Sequence, residues 1–275
     1  MTAKIPSPTP ARWRPSPLVS ASLGLHVGAL ALVVARPAAW PWAVGAVIAD
    51  HALLTAAGLT PRSALLGPNW TRLPAAASDR RELAITIDDG PEPRITPRVL
   101  DLLDERGAKA TFFCIGERVQ RYAELTREMV RRGHSVENHS QRHLNYFSLL
   151  GPRGLVAEVE RAQDTIGITT GQQPLFFRAP AGLRSPFLDP VLSRLGLRLA
   201  SWTRRGFDTV NSSVPTVLGK LTRGLGAGDI LLLHDGHAAL TGNGAAVILE
   251  VLPRLLDAVA AARLTPVTLR AALTP

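Results

Sequence analysis

Cysteine and lysine are scarce in this sequence of 275 residues. The single cysteine, Cys114, lies inside an apolar run and excludes an internal disulfide. Only three of the 31 basic residues are lysines, so arginine carries nearly all of the formal charge of +9. A basic balance of this size indicates a nucleic-acid partner or an anionic membrane surface. The sequence has no DNA-binding motif and no basic cluster interleaved with aromatic residues, so we predict a membrane partner and no nucleic acid.

The first 60 residues contain two apolar runs. Residues 1–16 are rich in proline, basic and free of acids, which predicts a disordered basic tail. Residues 18–35 form a nearly unbroken apolar stretch of 18 residues, just long enough to cross a bilayer. The second run, residues 43–59, contains Asp50 and His51. An aspartate costs about 2.5–3.5 kcal/mol at the centre of a membrane helix, so the second run is the weaker candidate for a membrane span.

Basic residues flank this pair of runs on the outside, with only Arg36 between them. By the positive-inside rule, this distribution predicts a transmembrane helical hairpin over residues 17–60 of a bacterial-type inner membrane, with both ends and the following domain in the cytoplasm. A cleaved signal peptide is the alternative, but no clear cleavage site follows the first run. If only the first run spans, the domain faces the periplasm instead. Residues 61–81 are predicted to link the hairpin to a soluble domain over 82–275.

Short apolar runs alternate with longer amphipathic segments in this domain. The predicted strands are residues 83–87, 110–115, 134–137, 175–177, 197–202, 230–233 and 266–269. The predicted helices are residues 96–106, 118–132, 154–166, 187–195, 214–225 and 245–262. Seven strands alternating with helices favour a parallel α/β fold, and we prefer a closed or nearly closed barrel.

Ionisable or polar residues follow five of the predicted strands. In chain order they are Asp88 and Asp89, then Asn138, His139 and His143, then Arg178, Asp208 and His234. Functional groups of a parallel α/β fold gather at the carboxyl ends of the strands. Two adjacent carboxylates also repel each other and need a compensating cation or arginine. A solvated Asp-Gly turn explains the first pair alone equally well, but five such strand ends predict one shared site.

His139 and His143 lie four positions apart in the sequence, at i and i+4. If this segment turns helically, both imidazoles point the same way. Together with one carboxylate they form a two-histidine, one-carboxylate set for a divalent metal. A pair of surface histidines is the alternative when the two residues are considered alone, and the presence of Asp89 favours the metal site.

Five motifs, taken in order, resemble those of the polysaccharide deacetylase family, the NodB-homology group of carbohydrate esterases. They are TIDDG at residues 86–90, HSQRH at 139–143, RAPAG at 178–182, the segment 202–208 and LLH at 232–234. The resemblance covers about residues 82–270 and does not include the hairpin. It implies a distorted (β/α)7 barrel and the metal-dependent removal of N-acetyl groups from amino sugars.

The resemblance also assigns a metal site and a base by motif position. It implies that Asp89, His139 and His143 hold one divalent metal ion. We expect zinc, with cobalt or nickel as alternatives. It further implies that Asp88 is the general base and that Arg178 pairs with Asp88, which would keep that acid ionised.

The remaining motifs supply an acid and an oxyanion site. The resemblance implies that His234 is the general acid and that Asp208 orients it and favours its protonated form. A backbone N–H near Ala181 is expected to stabilise the oxyanion, and Leu232 to contact the substrate. Two aromatic residues common in the family are replaced here by Ala181 and Thr209, which makes a long chitin-like polymer a less secure substrate.

These expectations combine into a membrane-tethered, metal-dependent amidohydrolase acting on an N-acetylated amino sugar of a polysaccharide or a lipid-linked glycan. A cytoplasmic domain favours a lipid-linked or nucleotide-linked sugar, and a periplasmic one favours peptidoglycan or exopolysaccharide. A non-catalytic carbohydrate-binding or scaffolding protein on the same fold is the alternative, because fold does not dictate activity. Among the other histidines, we predict that His237 is a loop residue, that His134 is structural, and that His26 and His51 pack within the hairpin.

Overall fold

The computed structural model describes residues 12–274. Of the predicted disordered tail, residues 1–11 lie outside the described part of the chain. Trp13 and Ser16 contact the rest of the protein: Trp13 Nε1 donates to Asp189 Oδ2 over 2.8 Å, and Ser16 Oγ donates to the carbonyl oxygen of Leu65 over 2.7 Å. Within the described part of the predicted tail, Trp13 and Ser16 are therefore attached to the rest of the protein.

Two helices of 19 residues, α1 (Pro17–Ala35) and α2 (Trp40–Gly58), pack against each other at the N-terminus. A 3-10 turn at Pro37–Ala39 joins them. Within the described residues, α1 alone is long and apolar enough to cross a membrane. Helix α2 does not meet this criterion, in line with the weaker second span expected from its acid.

The polar residues of the two helices bond to one another. Asp50 is 8% exposed and accepts a hydrogen bond from Ser22 Oγ over 2.6 Å. The rings of His26 and His51 meet edge to face with centroids 5.3 Å apart, so the two histidines contact each other across the helical pair. This pairing is how polar groups are tolerated within apolar helices.

A curled sheet of eight parallel strands forms the centre of the domain. The strands are β1 (Glu82–Asp88), β2 (Thr111–Cys114), β3 (Ser135–Asn138), β4 (Phe176–Phe177), β5 (Arg198–Leu199), β6 (Arg204–Arg205), β7 (Ile230–His234) and β8 (Thr265–Pro266). Their order is β5-β4-β3-β2-β1-β7-β6, with β8 beside β1. The described edge strands β5 and β6 are not paired with each other, so the sheet is a half-barrel: the distorted α/β barrel is confirmed, and the preferred closure is corrected.

Alternation along β1 places the site. Leu83, Ile85 and Ile87 face a core shared with the surrounding helices, whereas Ala84 belongs to the core inside the curl. Because successive side chains of a strand point to opposite faces, Thr86 and Asp88 share the inner face with Ala84. The strand therefore delivers Asp88 to the carboxyl end of the half-barrel.

Helices surround the sheet. The remaining helices are α3 (Ala75–Asp79), α4 (Thr96–Glu105), α5 (Gly116–Arg121), α6 (Ala123–Arg131), α7 (Pro152–Thr170), α8 (Leu188–Arg194), α9 (Val214–Thr222) and α10 (Val247–Ala261). The predicted single helix at 118–132 is corrected to two, because the backbone leaves helical geometry at Tyr122 (φ −119°, ψ 49°). The predicted linker carries α3, and its Trp70 N–H donates to the carbonyl oxygen of Leu199 over 2.9 Å.

Candidate active site

A cavity of about 290 Å³ opens at the carboxyl ends of the strands. It is lined by Asp88, Asp89, His139, His143, Asn145, Ala181, Gly182, Trp202, Arg205, Thr209, Leu232, His234 and His237. Seven of the nine residues named from the sequence are in this lining. The other two, Arg178 and Asp208, are buried behind it and bond to residues that line it.

Asp88 is paired with a fully constrained arginine. Arg178 Nη1 donates to Asp88 Oδ1 over 2.6 Å and to Thr86 Oγ1 over 2.8 Å. The other guanidinium nitrogens donate to the carbonyl oxygens of Ala200 and Ser201. Burial lowers the pKa of Arg178, and the charge of Asp88 opposes this effect. The ion pair is 1% and 4% exposed at its two side chains, so water does not screen it.

Asp89 adopts a left-handed backbone conformation (φ 74°) that turns its side chain away from that arginine. Its Oδ1 lies 3.3 Å from Nε2 of His139 and 3.3 Å from Nε2 of His143. This oxygen is buried and has no hydrogen-bond partner among the described residues. His139 Nδ1 lies 2.8 Å from the carbonyl oxygen of Arg178, to which it donates, so Nε2 carries the lone pair.

The segment 139–143 is irregular, with a bend at residues 141–142, so the helical turn considered for it is wrong. Ser140 and His143 both have positive φ, 62° and 52°. Asn138 Oδ1 accepts from the Ser140 N–H over 2.9 Å, and Ser140 Oγ accepts from the His143 N–H over 3.0 Å. These side-chain bonds replace the helical ones. The imidazoles of His139 and His143 still meet, with centroids 4.9 Å apart.

The three residues titrate as one cluster. Burial alone would raise the pKa of Asp89, but its interactions with the imidazoles of His139 and His237 outweigh this effect, so its pKa lies well below its usual value. Burial also opposes protonation of His139, but the charges of Asp88 and Asp89 raise its pKa. The pKa of His143 falls to about 4, first through burial and then through the neighbouring His139. At neutral pH His143 is therefore uncharged, and its imidazole can act as a ligand.

His234 is the last residue of β7, and Asp208 forms hydrogen bonds with both its backbone and its ring. Asp208 Oδ2 accepts from the His234 N–H over 2.7 Å, and its Oδ1 lies 2.9 Å from His234 Nδ1. Asp208 is fully buried. Burial acts to lower the pKa of His234, but the hydrogen bond with Asp208 and the charge of that carboxylate outweigh it, and the net pKa is raised. His234 thus enters the cavity as an oriented imidazole. It retains its proton to higher pH than a histidine with the ordinary pKa does.

His237 contacts the predicted metal-site carboxylate, although the sequence did not identify it as a site residue. Its Nδ1 lies 2.9 Å from Asp89 Oδ2, so it is a partner of the site and its assignment as a mere loop residue is corrected. Gly236 allows this approach, because a Cβ there would lie 2.2 Å from the carbonyl oxygen of Asp89. The signal was present: His237 lies just beyond the end of β7, where the strand-end rule would have found it.

Trp202 and Arg205 also line the cavity without having been predicted to do so. The Arg205 guanidinium lies 5.5 Å from the Trp202 ring centroid and 5.0 Å from that of Phe207. Such stacking holds a cation over aromatic faces. A tryptophan therefore remains at the rim, although the family's aromatics at residues 181 and 209 are absent.

An open half-barrel that gathers acids and histidines at its strand ends defines the class of protein: an α/β barrel with its candidate site at the carboxyl ends of the parallel strands. The chain belongs to the polysaccharide deacetylase family, whose sequence model matches residues 75–200. The peptidoglycan-N-acetylglucosamine deacetylase of Bacillus cereus is 34% identical over 180 residues, which span 65% of this chain and 83% of that protein. A chitooligosaccharide deacetylase of Bradyrhizobium is 35% identical over 161 residues, 58% of this chain and 73% of that protein.

Solved structures share the fold. A family 4 carbohydrate esterase from Streptomyces lividans, in complex with acetate, superposes with a TM-score of 0.61 at 30% identity, covering 67% of this chain and 91% of that one. A family 4 pseudoenzyme from Bacillus anthracis superposes with a TM-score of 0.63 at 20% identity, covering 73% and 66%, which shows the fold alone. The predicted family, and with it the predicted class of carbon–nitrogen hydrolase, is confirmed.

Proposed function

We propose that the chain is a metal-dependent deacetylase that hydrolyses the N-acetyl amide of an amino sugar at the cavity described above. One observation carries the proposal. Asp89 Oδ1 is buried, has no hydrogen-bond partner among the residues described, and faces two imidazole nitrogens at 3.3 Å. A buried, unpaired carboxylate oxygen is costly unless a cation completes the site.

The donor set fits a divalent metal ion. Asp89, His139 and His143 would hold the ion, which when bound would polarise the amide oxygen and lower the pKa of water towards about 7. Zinc, cobalt and nickel all accept one carboxylate and two imidazoles, and we propose zinc. The hydrogen bond from His139 Nδ1 to the Arg178 carbonyl oxygen supports His139 as a metal ligand, because it fixes the tautomer in which Nε2 is free to bind the ion.

We assign the general base to Asp88. Its Oδ1 is held by Arg178, and its Oδ2 accepts the proton of the attacking water. The hydrogen bond from Arg178 orients the carboxylate and leaves Asp89 to the cation. Water then adds to the acetyl carbonyl carbon, and the backbone N–H near Ala181 stabilises the oxyanion.

We assign the general acid to His234. An amine leaves poorly unless its nitrogen is protonated, and His234 supplies this proton from Nε2 while Nδ1 bonds to Asp208. The carbon–nitrogen bond breaks, releasing acetate and a free amino sugar. Leu232 and Trp202 line the same cavity and are assigned to substrate contact.

We further propose that the N-terminal helices attach the domain to the membrane. Helix α1 has the length and mean hydropathy, 2.1, of a membrane span, and α2 packs on it with its polar residues paired. If α1 and α2 both cross the membrane, the flanking arginines favour cytoplasmic ends and hence a cytoplasmic site, whereas a single span by α1 would place the site in the periplasm. A C-terminal reporter fusion tests the orientation: reporter activity in the periplasm would refute a cytoplasmic site and favour a wall polymer as substrate.

Acetate release from a panel of acylated sugars, measured by mass spectrometry, tests the activity. The panel includes peptidoglycan fragments and chito-oligosaccharides, because the two relatives named above are deacetylases of these substrates. It also includes lipid-linked sugars, which a membrane-attached enzyme can reach. We expect activity from the zinc-loaded wild type and none from Asp88→Asn. Equal release by both proteins would refute the assigned base.

A non-catalytic carbohydrate-binding protein is the second candidate. The fold match to a pseudoenzyme favours keeping it, because that match shows that the fold alone does not guarantee chemistry. Sugar binding by the wild type without acetate release from any member of the panel would support this candidate over the deacetylase.

A further inference from the structure

A second cavity, of about 680 Å³, lies between the N-terminal helices and the catalytic domain. This volume falls within the range of about 300–1,000 Å³ that small-molecule sites occupy. Most of its lining is apolar: Trp13, Val19, Ser22, Leu23, His26, His51, Leu54, Thr55, Gly58, Leu59, Ser148, Leu149, Arg184, Ser185, Pro186, Phe187 and Pro190. We call it the apolar cavity. The catalytic cavity does not include any of these residues.

The apolar cavity adjoins the catalytic cavity through two shared loops. Ala181 and Gly182 line the catalytic cavity, and Arg184 and Ser185, two residues further on, line the apolar one. In the other loop, Asn145 lines the catalytic cavity while residues 148–149 line the apolar one. An elongated molecule with one end in each cavity would run along these two loops.

The junction between helices and domain is fixed. The Arg184 N–H donates to the carbonyl oxygen of Gly58, at the end of α2, over 3.1 Å. Ser201 Oγ donates to the carbonyl oxygen of Pro61 over 2.5 Å. These two bonds attach the helical pair to the domain, so the apolar cavity is already formed beside the catalytic cavity.

The exposed rim of the apolar cavity is hydrophobic on both sides. Leu149 is 84% exposed and Phe187 is 50% exposed on the domain, and Leu23 and Leu59 are 58% and 59% exposed on the helices. A contiguous apolar rim beside a membrane-spanning helix marks contact with lipid. Hydrocarbon chains are what a bilayer offers to such an opening.

A buried arginine, Arg184, lines this cavity two residues after Gly182, which lines the catalytic cavity. Arg184 is 5% exposed, and its Nε has no hydrogen-bond partner within the described part of the chain. One of its Nη atoms donates to the carbonyl oxygen of Ser63 over 2.5 Å. A buried guanidinium with a free donor is suited to an anionic group such as a phosphate.

From these observations we propose that the substrate is a lipid-linked amino sugar whose hydrocarbon chain occupies the apolar cavity. Its anionic linker faces Arg184, and its N-acetyl group enters the catalytic cavity. This inference rests on the proposed deacetylase function and membrane attachment, and it names the class of substrate. The chain supplies affinity through burial of methylene groups, which a soluble sugar lacks.

The test compares two substrates in detergent-solubilised, zinc-loaded, full-length protein. Both carry N-acetylglucosamine on a phosphate, one bearing a long prenyl chain and the other a short alkyl chain. We expect kcat/KM for the long-chain substrate to exceed that for the short-chain substrate at least about tenfold, since single methylenes in a pocket already change it about tenfold or more. Equal values would overturn the proposal.

Two variants locate the effect. Leu54→Trp fills the apolar cavity, and we expect it to reduce the long-to-short ratio of kcat/KM about tenfold. Ile48→Trp is the matched control, because Ile48 lies on the same helix, is 64% exposed and does not line the cavity. We expect it to keep the wild-type ratio. An unchanged ratio in Leu54→Trp, or an equal fall in both variants, would overturn the proposal and indicate that bulk lipid fills the cavity.

A third measurement separates this inference from the function on which it rests. Chito-oligosaccharides without lipid are assayed in the same preparation. Acetate release from them, with no preference for the long-chain substrate, would overturn the lipid site and leave the deacetylase standing. No release from any substrate would overturn the deacetylase function, and the lipid site would then stand or fall on the labelling that follows. Photolabelling of the cavity by a long prenyl phosphate sugar carrying a photoreactive group, blocked by the unlabelled long-chain substrate, supports the site without requiring turnover.

Discussion

Two adjacent carboxylates have opposite surroundings in this protein. Asp88 lies against Arg178, and Asp89, with its left-handed backbone, lies against two imidazoles. The separation resolves the repulsion expected of neighbouring acids. It also gives each acid its own role, one near a fixed positive charge and one open to a cation.

Replacing Asp88 by Asn tests this division. Asn keeps a hydrogen-bond acceptor for Arg178 but cannot take a proton, so we expect deacetylation to fall by at least about 100-fold. Metal content should stay at the wild-type value, because Asp89 and both histidines remain. Acetate release and metal analysis measure the two quantities. Loss of the metal together with activity would contradict the assignment of the two acids.

Replacing Asp208 by Asn tests the acid. Asp208 raises the pKa of His234, and the acid must be protonated to act, so wild-type activity declines as pH rises through that raised pKa. Removing the negative charge lowers the pKa of His234, and the alkaline limb of kcat should move to lower pH. The pH profile of kcat decides the matter, and an unmoved alkaline limb would argue against His234 as the acid.

His134 predicts a pH dependence of stability away from the site. Burial, and then the charge of Lys109, lower its pKa from 6.5 to about 4, and its Nδ1 accepts from the Ala110 N–H over 3.2 Å. The unfolded chain therefore binds more protons between these values. The resulting stability is complete above pH 6.5 and is lost as pH falls towards 4, by up to about 3 kcal/mol.

The substitution His134→Asn keeps an acceptor for Ala110 and removes the titration. We expect denaturant unfolding of the zinc-loaded variant to show a flatter loss of stability between pH 6.5 and about 4 than the wild type. Curves of equal slope for the two proteins would refute this origin of the acid sensitivity.

At the scale of elements, one glycine allows the close approach between the segment after α2 and the loop of residues 181–185. Gly182 has φ +75°, and a Cβ there would lie 2.7 Å from Pro61 and 2.7 Å from Trp202. Gly182→Ala should therefore lower the free energy of unfolding by about 1–3 kcal/mol more than a left-handed glycine without neighbours. Gly107→Ala is the matched control, with φ +60° and no atom within 4 Å. Equal losses in thermal or urea unfolding would show that the contacts do not matter.

The elements that a sequence can predict here are those with a long apolar pattern. Strand β1 and helix α10 are such elements, and their types were predicted correctly. Strand β6 consists of two arginines, so its sequence has no apolar pattern that would predict a strand. It is a strand because it pairs with β7. The irregular conformation of 139–143 was missed because side-chain bonds from Asn138 and Ser140 decide it, and propensity does not register them.

The site was more predictable than its surroundings. Parallel strands end at one rim, so residues distant in the chain could be brought together on topology alone. His237 obeys the same rule but follows a glycine whose role is visible only in the close approach to Asp89. The docking of the N-terminal helices depends on single bonds such as Trp13 to Asp189, which no periodic pattern records.

At the scale of the whole molecule, the helices and the domain form one continuous structure. Ser16 at the start of α1 and Pro61 after α2 both bond to residues beyond the helical pair. If α1 spans the membrane, the catalytic cavity is therefore held at a fixed height above it. This arrangement suits a substrate that is itself confined to the membrane.

The metal content of the full-length protein tests the central claim most directly. After loading with zinc and removal of excess metal, we expect one tightly bound ion per chain in the wild type and in His134→Asn. We expect its loss in Asp89→Asn, which retains Asp88 and both histidines but removes the charged ligand. A wild type without zinc, or an Asp89→Asn variant that retains it, would contradict a metal centre at Asp89, His139 and His143.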